Sequence, residues 1–84
     1  MKVIFSSHAL DKLQTSDARK FKITKAKIQA ILKKPVFQSQ LLLGVVRAVG
    51  LLDKDHSLCI IYKLDRDIIK VITFFPSEKG RYEN

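Results

Sequence analysis

The clearest hydrophobic pattern lies in the last third of the chain, where two apolar runs flank a short polar segment. Residues 58–62 form the first run, residues 65–67 the polar segment and residues 68–75 the second run. Strand-length runs of β-branched and aromatic residues around a short turn predict two adjacent antiparallel strands. The second run is apolar on both faces apart from Lys70 and Thr73, so we expect it near the middle of a sheet.

The first half of the chain predicts a short strand followed by helices. Residues 2–6 read as the strand, after which Ser6 or Ser7 caps a helix. The pattern from Thr15 to Lys20 leaves open whether one helix continues or two short helices meet. A clearer helix starts at the N-cap Thr24, and Pro35 ends it.

From residue 36 the hydrophobic period changes to two. We predict a short strand over residues 36–40 and a longer one over residues 41–52. Gly44 and Gly50 are expected on one face of the longer strand, where they permit bending or the close approach of another element. The predicted fold class is therefore α+β: an N-terminal short strand and one or two helices packed on one face of a three- to four-stranded antiparallel sheet.

Length and composition indicate one domain spanning residues 1–84. No apolar segment is long enough for a signal peptide or a membrane span, so we expect a cytoplasmic protein without a membrane partner. Cys59, the one cysteine, lies in an apolar run and cannot form a disulfide within the chain. It is interpreted as a buried hydrophobic residue.

The charge balance points to a polyanionic partner. The chain has sixteen Lys and Arg residues and eight Asp and Glu residues, which gives a formal net charge of +8. Basic surfaces bind nucleic acids by neutralising phosphates and releasing counterions, although a solvated basic face is the ordinary alternative. The candidate nucleic-acid-binding residues are Lys12, Arg19, Lys20, Lys22, Lys25, Lys27 and Lys79.

The residues that can support chemistry are donors and cations with one imidazole. His8 and Lys12 are four apart on a predicted helix, Arg47 lies mid-strand, and Arg81 and Tyr82 follow the last strand. We find no metal-ligand spacing and no glycine-rich phosphate loop, so we expect no cofactor and no metal. This set suits metal-independent RNA cleavage by attack of the 2'-hydroxyl, and the catalytic candidates are His8, Tyr82, Arg81 and Arg47.

Four motifs give the chain a resemblance that spans nearly its whole length. The motifs are S-S-H-A-L-D-K-L, the helix entry I-T-x-x-x-I ending in K-K-P, the strand G-V-V-R-A-V-G and the ending V-I-T-F-F-P-S-E-K-G-R-Y-E. Together they resemble a small family within the RelE/ParE-like toxin superfamily. The resemblance implies a small α+β fold, RNase activity or gyrase inhibition, and a cognate antitoxin. The recurrent S-x-H-A with a basic residue four positions on matches His8 and Lys12, and Arg47, Arg81 and Tyr82 fall in comparable places. The chain departs from the family between residues 13 and 23, where extra basic residues replace a compact Arg-Gly turn.

Three hypotheses follow. The first is a toxin-type, metal-independent endoribonuclease that acts on RNA or on the ribosome. The second is a non-catalytic basic RNA-binding protein that uses the face from Arg19 to Lys34, and the third is a ParE-like gyrase-inhibiting toxin. A homodimer is left open.

Overall fold

The structure is a computed structural model that describes residues 2–80. The elements in chain order are β1 (Lys2–Phe5), α1 (Ser7–Lys12), α2 (Ser16–Lys20), α3 (Lys25–Lys33), β2 (Phe37–Leu42), β3 (Val45–Leu51), β4 (His56–Asp65) and β5 (Ile68–Glu78). The strands form one sheet in the order β1-β5-β4-β3-β2. β1 is parallel to β5, and every other neighbouring pair is antiparallel.

The α+β prediction is confirmed, but the predicted number of helices, one or two, was wrong because the structure has three, and the predicted sheet was wrong in strand number and in strand direction. The described residues form five strands, and the sheet is mixed because β1 pairs in parallel with β5 from Lys2 opposite Ile68 to Phe5 opposite Val71. The sequence indicated β1 as a strand but not its partner, since the two are separated by most of the chain. The hairpin of β4 and β5 has the predicted turn, and β4 is the central strand.

The helices begin where short hydroxyl side chains can cap them. Ser6, Thr15 and Thr24 accept hydrogen bonds from the N–H groups of residues 9, 18 and 27, respectively. The caps at Ser6 and Thr24 were predicted. The cap at Thr15 settles the open question, because it starts a separate helix, so two short helices precede α3.

The prediction of one long strand over residues 41–52 was wrong. The chain turns at Leu43 and Gly44, and β2 and β3 are the two arms of this hairpin. Gly44 has a φ of 78°, in the left-handed region that glycine enters at little cost. The sequence did not indicate this turn because it lies within an apolar run, and Leu43 at its tip is 94% exposed.

All three helices contribute to one hydrophobic core on one face of the sheet. Ala9, Ala18 and Ile28 from the helices belong to the same buried cluster as Ile60 and Phe74 from the sheet. The absence of a side chain at Gly50 lets α3 approach β3, since a Cβ there would lie 2.6 Å from Cγ1 of Ile31. The close approach predicted for Gly50 is therefore confirmed. None of the helices within residues 2–80 is both long and apolar enough to cross a lipid bilayer.

Candidate functional site

The first candidate region lies at the edge of the sheet where β1 ends. β1 stops at Phe5, while β5 continues to Glu78, seven residues past Val71, the last residue of β5 that pairs with β1. Ser6 fixes the start of α1 at this point: its N–H donates to the Val71 carbonyl at 2.9 Å, and its hydroxyl donates to the Ile72 carbonyl at 2.8 Å. As a result, α1 lies beside the part of β5 that β1 does not cover.

His8 and Lys12 meet at one hydroxyl group of β5. Nε2 of His8 and Nζ of Lys12 each lie 3.2 Å from Oγ1 of Thr73. Their i, i+4 spacing places them on one face of α1, as predicted, and that face is turned toward β5. We call these three residues the α1–β5 site. His8 is exposed, so its imidazole can reach a ligand in solvent.

The ammonium group of Lys12 lies in a partly apolar environment. Nζ is 5.3 Å from the ring centroid of Phe74 and 5.9 Å from that of Phe75. Burial lowers the pKa of Lys12, and the nearby carboxylate of Asp17 opposes this shift in part. Cation–π contacts favour the charged form, which is the form that binds phosphate.

Arg47 shares a row of the sheet with Thr73. Arg47 on β3 is opposite Ile61 on β4, and Ile61 is opposite Thr73 on β5. Residues in register across neighbouring strands project to the same face, and two strand spacings separate Arg47 from Thr73 by roughly 10 Å. The half-buried Arg47 also lies near Cys59: burial raises the pKa of this thiol, while a hydrogen bond to Ser77 and the positive charge of Arg47 oppose the increase.

The remaining catalytic candidates, Arg81 and Tyr82, lie outside the described residues. The structure therefore brings His8 and Lys12 together and places Arg47 in the same row of the sheet. The candidate Lys79 is elsewhere, at the end of β5, where its N–H donates to the Asp55 carbonyl at 3.0 Å.

The basic residues of the helices differ in their surroundings. Lys25 turns toward Phe5, with Nζ 5.6 Å from the ring centroid, and Arg19 is exposed on α2. A different group surrounds a cavity of about 410 Å³ between the α2–α3 connection and the end of β3. We call it the basic cavity, and its lining residues are Lys20, Phe21, Lys22, Lys27, Leu52 and Asp53.

One side of the basic cavity is fixed by His56 and Asp53. Nδ1 of His56 is 3.0 Å from Oδ1 of Asp53, and the same oxygen accepts the N–H groups of Asp55 and His56, each at 2.8 Å. The pKa of Asp53 is lowered most by the hydrogen bond from the Asp55 N–H and next by the hydrogen bond from the His56 side chain. The His56 ring packs on Phe21 at 4.9 Å between centroids and is therefore held in place.

Sequence reasoning missed Thr73 as a site residue and missed the cavity. Thr73 had a visible signal, since it is one of two polar interruptions in an otherwise apolar strand. The cavity had a partial signal, since Lys20, Lys22 and Lys27 were candidate nucleic-acid-binding residues, but its other wall comes from the turn after β3, which is distant in sequence. Within residues 2–80, no group of three or more His, Cys, Asp or Glu side chains is arranged to hold a metal ion.

Comparison of the chain with known proteins gave no match to any family model, curated protein sequence or solved structure. The resemblance to RelE/ParE-like toxins thus stays a prediction from the sequence motifs.

Proposed function

We propose that the protein is a metal-independent endoribonuclease of the RelE/ParE-like toxin type. One observation carries the proposal: His8 and Lys12 meet at the hydroxyl of Thr73, in the row of the sheet that also contains Arg47. An exposed imidazole beside an ammonium provides a base and a cation for a phosphodiester, and Arg47, two strands away in the same row, adds a second cation. The net charge of +8 supports a polyanionic substrate.

The reaction assigned to the α1–β5 site is an internal transfer of the phosphoryl group. The imidazole of His8 accepts the proton of a ribose 2'-hydroxyl, and the 2'-oxygen attacks the adjacent phosphorus. Lys12 and Arg47 stabilise the additional negative charge while the bond from phosphorus to the 5'-oxygen breaks. An acid protonates this oxygen, and Tyr82 is the candidate from the sequence. The products are a 2',3'-cyclic phosphate and a 5'-hydroxyl end.

The biological setting follows from the same proposal. The α+β fold is assigned to the RelE/ParE-like superfamily on its motifs, and the start of α1 at S-x-H-A is consistent with them. The substrate is RNA, free or on the ribosome, in the cytoplasm. A cognate antitoxin protein restrains the activity until it is removed.

The two histidines of the chain provide a matched test. Purified protein is incubated with an RNA oligonucleotide in EDTA, and the product ends are identified. His8→Ala should lower the cleavage rate by about 10² to 10⁴, which is the usual contribution of a general base, with RNA affinity within about tenfold of wild type. His56→Ala removes an imidazole that Asp53 already engages and should leave cleavage intact. Equal losses in both variants, or no cleavage by the wild-type protein, would exclude this role of His8.

A second candidate is RNA binding without cleavage, and the three lysines around the basic cavity favour it. It predicts that the protein forms a salt-dependent complex with RNA, that no cleavage products appear and that His8→Ala leaves the RNA affinity unchanged. Lys27→Glu should weaken such a complex more than Lys25→Glu, because Lys27 lines the cavity whereas Lys25 lies over Phe5. Similar losses in the two variants would point to a diffuse basic surface instead.

A further inference from the structure

The C terminus of α2 contains a lysine where glycine is the usual residue. The Ile23 N–H donates to the Ala18 carbonyl at 2.8 Å, and the Lys22 N–H donates to the Arg19 carbonyl at 3.2 Å. This is the Schellman pattern, in which the residue directly after the C-cap adopts a positive φ. Lys22 occupies that position with a φ of 55°. A side chain there strains the backbone, so Lys22 weakens the turn relative to glycine.

The side chain of Lys22 lines the basic cavity together with Lys20 and Lys27. Lys27 lies in the first turn of α3, which contains no acidic residue and begins at Lys25. Acidic residues are the ones that stabilise a first turn, because the helix dipole is positive there. Lys22, in the strained connection after α2, and Lys27, in the first turn of α3, therefore both place positive charge at the basic cavity. Each position disfavours a lysine on its own, and a bound anion would stabilise both.

The other wall of the cavity suits a planar group. The ring of Phe21 is half-buried, its contact with His56 fixes its position, and Nζ of Lys20 lies over it, 5.5 Å from the ring centroid. The carboxylate of Asp53 is already engaged by the N–H groups of Asp55 and His56 and by the His56 ring. The three lysines outnumber the single carboxylate of Asp53, so positive charge dominates the cavity, and an aromatic surface lies beside it.

We propose that the basic cavity binds a nucleoside phosphate, with its phosphate at Lys20, Lys22 and Lys27 and its base against Phe21. A volume of about 410 Å³ lies in the range of small-molecule sites. The ligand is either a free nucleotide or one nucleotide unit of an RNA strand, since both present the same chemistry. The proposal does not depend on RNA cleavage, because it uses none of the residues of the α1–β5 site.

Two substitutions that relieve the same backbone strain separate binding from folding. Lys22→Gly and Arg66→Gly each remove one positive charge and one non-glycine residue with positive φ, 55° and 56° respectively. Arg66 lies in the turn between β4 and β5, at the opposite end of β4 from His56, a distance of about 30 Å along the strand. Both variants should melt at the wild-type temperature or higher.

Binding is measured by calorimetry with adenosine 5'-monophosphate at low salt. Lys22→Gly should raise the Kd about fivefold or more, whereas Arg66→Gly should leave it within about twofold, because only Lys22 lines the cavity. Equal losses in the two variants would show binding to net charge alone and overturn the site. An unchanged Kd in Lys22→Gly, or no binding by the wild-type protein to either the nucleotide or RNA, would overturn it too.

Three further probes define the ligand class. Adenosine and inorganic phosphate should each bind at least about tenfold more weakly than the nucleotide, since each lacks one of the two contacts. Equal binding of either probe would refute the proposed class. A 2'-O-methylated RNA oligonucleotide cannot be cleaved and should shift the amide resonances of residues 20–27 and 52–53, as the nucleotide does. Whichever binds more tightly, the nucleotide or the RNA, identifies the source of the ligand. Resonance shifts confined to residues outside the basic cavity would count against this site.

Discussion

The α1–β5 site and the basic cavity are both positively charged, and each involves one of the two histidines of the chain: the first contains His8, and the second lies beside His56. The two histidines differ in what their imidazole rings contact. His8 is exposed and meets a neutral hydroxyl next to an ammonium, whereas the ring of His56 is engaged by the carboxylate of Asp53 and by the Phe21 ring. An imidazole held by a carboxylate and an aromatic ring supports a wall, while an exposed imidazole at a neutral hydroxyl can exchange a proton with a ligand.

The backbones of the two regions differ as well. α1 is joined directly to the sheet through Ser6, which has hydrogen bonds to two carbonyls of β5. The basic cavity instead contains a lysine with positive φ in the connection between two helices. Rigid attachment suits a reaction that needs fixed distances. The proposed chemistry therefore fits the α1–β5 site, and the proposed binding fits the cavity.

Removing the charge of Lys12 should produce the largest difference between the two regions. Lys12→Met keeps an unbranched side chain against Phe74 and Phe75 but cannot stabilise the attacked phosphate, so cleavage should fall about 10²-fold or more. The melting temperature should hold or rise, because burial disfavours the charged form of Lys12. Single-turnover rates and thermal melts measure both effects.

Lys2 is the control for this loss, since it is exposed at the far end of β1 from α1. Lys2→Met should retain cleavage within about threefold of wild type, as expected for an exposed charge. A comparable loss in both variants would mean that net charge, rather than Lys12, limits the rate.

A side chain at Gly50 should disturb the cavity rather than the α1–β5 site. The Cβ of Gly50→Ala would lie 2.6 Å from Cγ1 and Cγ2 of Ile31, so Ile31 must shift and we expect α3 to shift with it, at a cost of about 1–3 kcal/mol in chemical denaturation. Lys27 moves with α3, so nucleotide binding should weaken more than RNA cleavage. The double variant Gly50→Ala/Ile31→Ala relieves the clash and should show less than the sum of the two single losses. Strict additivity would contradict this packing.

The hydroxyl of Thr73 should act by positioning His8 and Lys12. Thr73→Val keeps the shape of the side chain and removes their common hydrogen-bond partner, so kcat should fall about five- to tenfold with little change in KM. Thr73→Ser retains the hydroxyl and should restore most of the rate. A loss of equal size in the serine variant would indicate that packing of the strand is responsible instead.

The smallest expected effect is an acid-dependent change at the wall of the cavity. The pKa of Asp53 is lower in the folded protein than in the unfolded chain, chiefly because the Asp55 N–H donates to its carboxylate. Its stabilising contribution is therefore complete above a pH of about 4 and is lost as the pH falls through the lower, folded-state pKa. Asp53→Asn should make the melting temperature less sensitive between about pH 5 and pH 2. Parallel curves for wild type and variant would contradict this linkage.

Local sequence signals predicted the parts of the fold that depend on neighbouring residues. The caps at Ser6 and Thr24, the turn between β4 and β5 and the shared face of His8 and Lys12 all arise within a few positions of the chain. The turn at Gly44 was missed because apolar residues precede and follow it, and the hydrophobic period continues through the turn. The pairing of β1 with β5 was missed because no local signal specifies a distant partner.

The sequence by itself determined the positive charge, the α+β class and the pairing of an imidazole with an ammonium on one helical face. Only the tertiary structure decided that this face meets Thr73, that Arg47 lies in the same row of the sheet and that three lysines surround a cavity. The physical reason is that helix periodicity and capping depend on neighbours three or four residues apart. Strand partners and cavity walls instead depend on which buried surfaces of the whole chain fit together.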